Sequence, residues 1–256
     1  NKITEYRKML LAWKAARVIT YAGYILGFPN DTPASIEHDI EVIKRELPVD
    51  LLEFFCLTPL PGSEDHKKMH LAGVQMERDL NGYDLVHVTT RHATMTDDEL
   101  RAIYYKAWDL YYSPEHVERV IRRTKLWNYD SYNMMAKLFT FYEAIKIENV
   151  HPLESGLYRR RYRLDRRPGM PVESRLTFYP RRLWEVLSKH AQLAAMHWRF
   201  RRILRRVERD TASYPDIAMM PVRQEEFDAL EIFTVTQSAR SAVDKQLHRK
   251  AAVTSA

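Results

Sequence analysis

Met9, Leu10, Trp13 and Ala16 recur at helical spacing and predict a helix over 4–17. Val18 to Leu26 is a short apolar run rich in β-branched and aromatic residues, which predicts a buried strand. Helical spacing returns with Ile36, Ile40, Ile43 and Leu47. Thr32 is placed to cap that helix, Pro33 takes its first position and Pro48 stops it. Leu51 to Leu57 is a second short apolar run. Helix, strand, helix, strand with short connections is a βαβ pattern, so the two strands are expected side by side and parallel. Two strands do not make a stable parallel sheet by themselves. The pattern therefore predicts further strands from elsewhere, most simply from upstream sequence.

After Asp65 the chain reads as helices and loops. Residues 67–73 predict a short helix, and 79–94 a loop or short strand. Thr96-Asp97-Asp98-Glu99 is a capping box that opens a helix with Leu100, Ile103, Tyr104, Ala107, Leu110 and Tyr111 on one side. Ser113-Pro114-Glu115 starts another helix, and 127–147 a longer one. Gly156 and Pro168-Gly169 mark loop or hairpin over 151–171. A long helix is expected over 180–209, its apolar stripe formed by Met196, Phe200, Ile203, Leu204 and Val207. Residues 238–256 read as a mobile tail.

Composition narrows the classes. With 45% hydrophobic and 29% charged residues the chain is an ordinary globular one. The single cysteine, Cys56, excludes an internal disulfide framework or a four-thiolate site, and is expected as a buried core thiol. No apolar run approaches the roughly 18 residues of a membrane span. The start, Asn1-Lys2-Ile3-Thr4-Glu5, is polar and lacks Met, so the chain is expected to be processed or incomplete. A reducing, cytoplasmic setting is expected.

The net charge of +6 permits anionic partners without requiring them. Two arginine-rich stretches carry the surplus. One is Arg159, Arg160, Arg161, Arg163, Arg166 and Arg167; the other is Arg199, Arg201, Arg202, Arg205, Arg206 and Arg209. The first reads either as a solvated or paired surface or as a grip on nucleic acid or phosphate; the second belongs to a basic amphipathic helix that either packs its apolar stripe on the domain or lies with it on an anionic membrane.

The candidate chemistry lies at the strand ends. The first strand closes Gly23-x-Ile25-x-Gly27, where small residues let a flat ring approach the backbone. The second closes Leu57-Thr58-Pro59-x-Pro61-Gly62 at the same sheet edge, where ligands of parallel α/β folds commonly bind. The competing reading is that the glycines permit tight packing and the prolines turn the chain. His87 and His92 have no further ligand at metal-site spacing.

Residues 1–123 resemble the second half of a radical S-adenosylmethionine (SAM) barrel. Gly23-Tyr24-Ile25-Leu26-Gly27 resembles that family's GxIxG strand, with Asp31-Thr32 as the acidic end of the motif. Leu57-Thr58-Pro59-Leu60-Pro61-Gly62-Ser63 resembles its post-strand segment. Asp79-x-Asn81-x-Tyr83-Asp84, His87 and His92-Ala93-Thr94-Met95-Thr96 are similar to segments that follow the barrel in the branch often joined to a cobalamin-binding domain. The fold this implies is α/β: the carboxy-terminal half of a partial (β/α) barrel, then a mainly helical extension. The implied parts are 1–64 (barrel), 65–123 (post-barrel), 124–237 (helical extension) and 238–256 (tail). The resemblance implies SAM adenine contacts at Gly23, Ile25, Gly27, Leu57, Thr58 and Pro59, and substrate-side roles for His87 and Arg91. It also implies a 4Fe-4S cluster and, by branch, cobalamin. The family's CxxxCxxC cluster ligands are absent here, so this chain alone is expected not to perform the radical reaction. Expected partners are a small-molecule substrate, the upstream half of the same protein and an anionic membrane surface; nucleic acid is not expected. The alternative is a non-catalytic basic helical module docking to anionic membrane or nucleic acid.

Overall fold

A computed structural model describes residues 3–155, 161–210 and 214–222. The expected tail at 238–256, and Arg159 and Arg160, lie outside them. The described residues divide into two compact units, 3–116 with 214–222, and 117–155 with 161–210.

In the first unit, helix α1 (Ile3–Ala15) buries Ile3, Thr4, Arg7, Leu10 and Lys14. Of the expected apolar positions Leu10 is buried, whereas Met9, Trp13 and Ala16 are exposed. The reason is ionic. Arg7 reaches the Glu46 carboxylate and donates from Nε to the Glu46 carbonyl at 2.9 Å. Lys14 pairs with Asp50. Asp50 also accepts from the Thr20 amide (2.7 Å) and hydroxyl (3.0 Å). One buried carboxylate thus ties α1 to the starts of both strands.

Strands β1 (Tyr21–Leu26) and β2 (Leu51–Cys56) are parallel, in register from Tyr21↔Leu51 to Leu26↔Cys56. Between them runs α2 (Pro33–Glu46). Its cap is reciprocal: the Ser35 amide donates to Thr32 Oγ1 at 3.1 Å, and the Thr32 amide to Ser35 Oγ at 3.0 Å. The sheet has these two strands, and among the described residues there is no barrel. The expected buried strand over Val18 to Leu26 is corrected: β1 starts at Tyr21 with β2 as its strand neighbour, and Val18, Ile19, Tyr21 and Ile25 are exposed.

After α3 (Glu64–Leu71), α4 (Asp97–Tyr111) opens on the expected Thr96–Glu99 capping box. It covers one sheet face: Phe54 stands edge-on to Trp108, with ring centroids 5.3 Å apart, and to Tyr111 at 6.4 Å. The Tyr111 and Tyr112 hydroxyls donate to the carbonyls of Val49 (3.1 Å) and Leu52 (3.0 Å). The unit boundary falls inside α5 (Pro114–Leu126).

In the second unit, α6 (Ser131–Glu143) runs on into a π-helical turn, Ala144–Glu148, ended by left-handed Asn149. Helix α7 (Arg175–Arg209) has 35 residues, about 52 Å at 1.5 Å per residue. It starts five residues before the expected Pro180, because Ser174 caps it by accepting from the Thr177 amide at 3.2 Å. Phe139 meets Phe200 edge-on, and Lys189 pairs with buried Glu148 at 2.7 Å. Lys125 closes the far end by donating to the carbonyls of Val207 and Asp210, both at 2.9 Å.

Replacing Lys14 by Met leaves Asp50 buried without its cation. Urea denaturation of this variant is expected to show a loss of about 3–5 kcal/mol. A loss below about 1 kcal/mol would put the pair in the class of solvated surface bridges.

Candidate functional site

The site is built where β1 and β2 end. Past the strands the pairing continues, with the Leu57 amide donating to the Leu26 carbonyl at 2.8 Å. This brings the Gly27 and Leu57 backbones together, as the spacing predicted. Gly27 has φ +95, a conformation that favours glycine, and a Cβ there would lie 3.3 Å from the Leu100 side chain.

The turn after Gly27 is held by Asp31, whose carboxylate accepts from the amides of Gly27 and Phe28, both at 2.9 Å. Burial raises the Asp31 carboxyl above its ordinary range, against the pull of those two amides and of His92. His92 locks the same turn from outside. Its Nδ1 accepts from the amides of Thr94 (3.1 Å) and Met95 (3.0 Å), so the ring proton sits on Nε2, which donates to the Phe28 carbonyl at 2.7 Å. The Thr94 hydroxyl donates to the Asp31 carbonyl at 3.1 Å. His92 is therefore a positioning residue for the glycine turn.

Side chains along the sheet alternate. One face carries Tyr24 and Phe54 toward the helices, with Tyr24 hydrogen-bonded to Asp39 of α2 at 2.9 Å. The other carries Gly23, Ile25, Glu53 and Phe55. Ile25 is 45% exposed there. Gly23 has a packing role: a Cβ at this position would lie 2.8 Å from Phe55 Cε2. The competing reading of the glycines thus holds for Gly23 against Phe55. Ile25 remains the open apolar position of the motif.

Beyond the strands, the Thr58 hydroxyl donates back to the Cys56 carbonyl at 3.0 Å and Pro59 is buried. Cys56 is buried as expected, its thiol 3.3 Å from the Val86 carbonyl. Burial, helped by the Asp84 charge, pushes that thiol up to about 12. It is a buried core thiol, hydrogen-bonded to a backbone carbonyl. Among the described residues no group of three acidic, histidine or cysteine side chains has metal-holding geometry.

The two substrate-side candidates lie on segments tied to the strand ends through their neighbours: the Cys56 amide donates to the Leu85 carbonyl at 2.7 Å, and His92 donates to the Phe28 carbonyl at 2.7 Å. Exposed His87 pairs through Nδ1 with Asp84 at 2.7 Å. Although burial acts the other way, the His87 and Val86 amides and the His87 ring hold the Asp84 carboxyl below its ordinary range. Arg91 lines a concavity of about 730 Å³ with Met76, Asp98 and Arg101, and its wall includes His92 and Thr94, which hold the Gly27 turn. None of the six strand-end residues lines it.

Glu53 was missed by motif reading. It lies opposite Gly23 in the register and is 1% exposed, and its Oε1 has no hydrogen-bond partner among the described residues. Burial pushes its carboxyl up to about 7. Its signal was the lone charge inside the apolar run Leu51–Leu57.

No protein-family model, curated protein or solved structure matches this chain.

Because the folded-state value of Glu53 lies above the ordinary 4.5, its contribution is fully present below pH 4.5 and is lost as pH rises through about 7. Thermal melts from pH 5 to 8 should show Glu53→Gln gaining on the parent chain as pH rises. Parallel curves for the two would remove Glu53 as a buried acid.

Proposed function

We propose that the β1–β2 strand ends form one side of a SAM adenine site in a radical SAM enzyme. The single observation that carries this reading is the exposed Ile25 on a strand whose end is fixed beside Leu57 by a glycine turn. A flat base needs an apolar shelf and a backbone held still, and Asp31, His92 and Thr94 hold this one.

Fit is good for the adenine and poor for the metal. Ile25 would meet the ring face, with half-buried Leu57 and Thr58 along its edge; Gly27 and Pro59 are buried and would act by fixing the backbone of the two turns. Gly23 would act indirectly, by admitting the Phe55 ring. The lone thiol, buried and protonated, does not suit a 4Fe-4S cluster, so the cluster ligands would come from a segment of the intact protein outside these 256 residues. A half-barrel, a small-molecule substrate and a cobalamin partner belong to the same proposal through the family resemblance. When bound, SAM would supply the adenosyl group of the reaction. This chain's residues would seat and orient its base.

Saturation-transfer NMR on the chain with SAM tests the proposal. Saturation should reach the adenine protons, and Ile25→Asp should remove it while the fold persists. Absence of transfer from the parent chain, or its survival in Ile25→Asp, would overturn the assignment.

A further inference from the structure

Helix α7 has two apolar sides. Phe178, Met196, Phe200, Ile203, Leu204 and Val207 are buried in the second unit. At about 100° per residue, Leu176, Leu183, Leu187 and Trp198 fall on the opposite side, with Trp184 at its margin. All five are exposed, Leu176 at 88% and Trp184 at 73%. The stripe that sequence spacing offered to a membrane is thus the packed one. A second stripe faces outward. Arg202, Arg205 and Arg209 continue that outward side toward the carboxyl end, and all three are exposed.

Charge selects the occupant. The helix carries ten basic and two acidic side chains. Glu185, one of the two acids, is engaged by Arg182 (2.8 Å) and Lys189 (3.2 Å). Arg206 pairs with Glu118 at 2.9 Å. Among the described residues, no acidic side chain pairs with Arg202, Arg205 or Arg209. These three, Arg206 and Asp210 line a concavity of about 510 Å³, room for a phosphate group, and the Asp210 carboxylate is held by Arg122 at 2.8 Å. The Arg202 guanidinium lies 4.7 Å over the Trp198 ring, which joins the apolar and cationic halves of the surface.

The apolar chemistry separates lipid from nucleic acid. Leucine gives a base nothing to stack on, whereas leucine enters the acyl boundary and indole sits at headgroup level. No helix among the described residues is long and apolar enough to cross a membrane, and α7 has the two-sided form of one that lies along a surface.

We propose that the outward side of α7 is an in-plane docking surface for an anionic lipid bilayer. Leu176, Leu183, Leu187, Trp184 and Trp198 enter the interface, and Arg202, Arg205 and Arg209 meet the lipid phosphates. The proposal does not rest on the SAM reading.

Co-flotation of the full chain with phosphatidylcholine vesicles, with and without phosphatidylglycerol, tests it. Binding is expected only to the anionic vesicles, weakening with salt and shifting tryptophan emission to the blue. At about 1 kcal/mol per arginine near the surface, Arg202→Gln with Arg205→Gln should weaken it about thirtyfold. Leu183→Ser with Leu187→Ser should abolish the emission shift while circular dichroism stays unchanged, since both side chains are exposed. No binding to anionic vesicles overturns the proposal. So does vesicle binding that the leucine variant leaves intact. Sedimentation showing self-association through the leucines, or oligonucleotide binding through the arginines, without vesicle binding, overturns it in favour of those partners.

Discussion

The first unit depends on one buried carboxylate. Asp50 stands where α1, the start of β1 and the start of β2 converge, and it answers Lys14 and both donors of Thr20. An ion in that position must be fully partnered, because an unpaired buried charge costs more than most packing contacts return. Fixing the strand starts fixes the register, and the register decides which residues leave the sheet side by side. Asp31 does the corresponding work at the other end, where it holds the Gly27 turn by two amides. The candidate site is the downstream result of these two clamps.

The positions of the two strands, α2 with its Thr32 cap, and the Thr96–Glu99 capping box were legible because each has a local cause: apolar runs next to proline, and hydroxyl residues at helix starts; the Ser35 half of the Thr32 box and the exposure of β1 were not. The inward side of α1 was not. Met9 and Trp13 have the right spacing, but Arg7 and Lys14 win the interior through partners 39 and 36 residues away. No helical period encodes a distant carboxylate. The start of α7 was displaced for a related reason: proline suits a first turn, yet the Ser174 cap lies upstream of it.

At the site, the adjacency of Gly27 and Leu57 was legible from the order of elements, and the division of labour within the motif was not. Sequence treats Gly23 and Gly27 alike. In the fold one makes room for the Phe55 ring and the other bends the chain. His92 read as a loop residue without a metal site; the sequence could not say that both its ring nitrogens are spent on the backbone of the Gly27 turn and of its own loop. Glu53 followed no motif, because a lone acid in an apolar run reads as an interruption until the register sets it beside Gly23.

The segment Tyr21–Leu26 contains no charge and no proline, and β2 is its strand neighbour among the described residues. Sheet margins in natural proteins usually carry lysine, proline or a bulge, devices that keep one molecule's backbone from adding to another's. β1 has neither lysine nor proline. Among the described residues no second strand pairs with its far margin, which thus has the composition of an edge that strand addition uses.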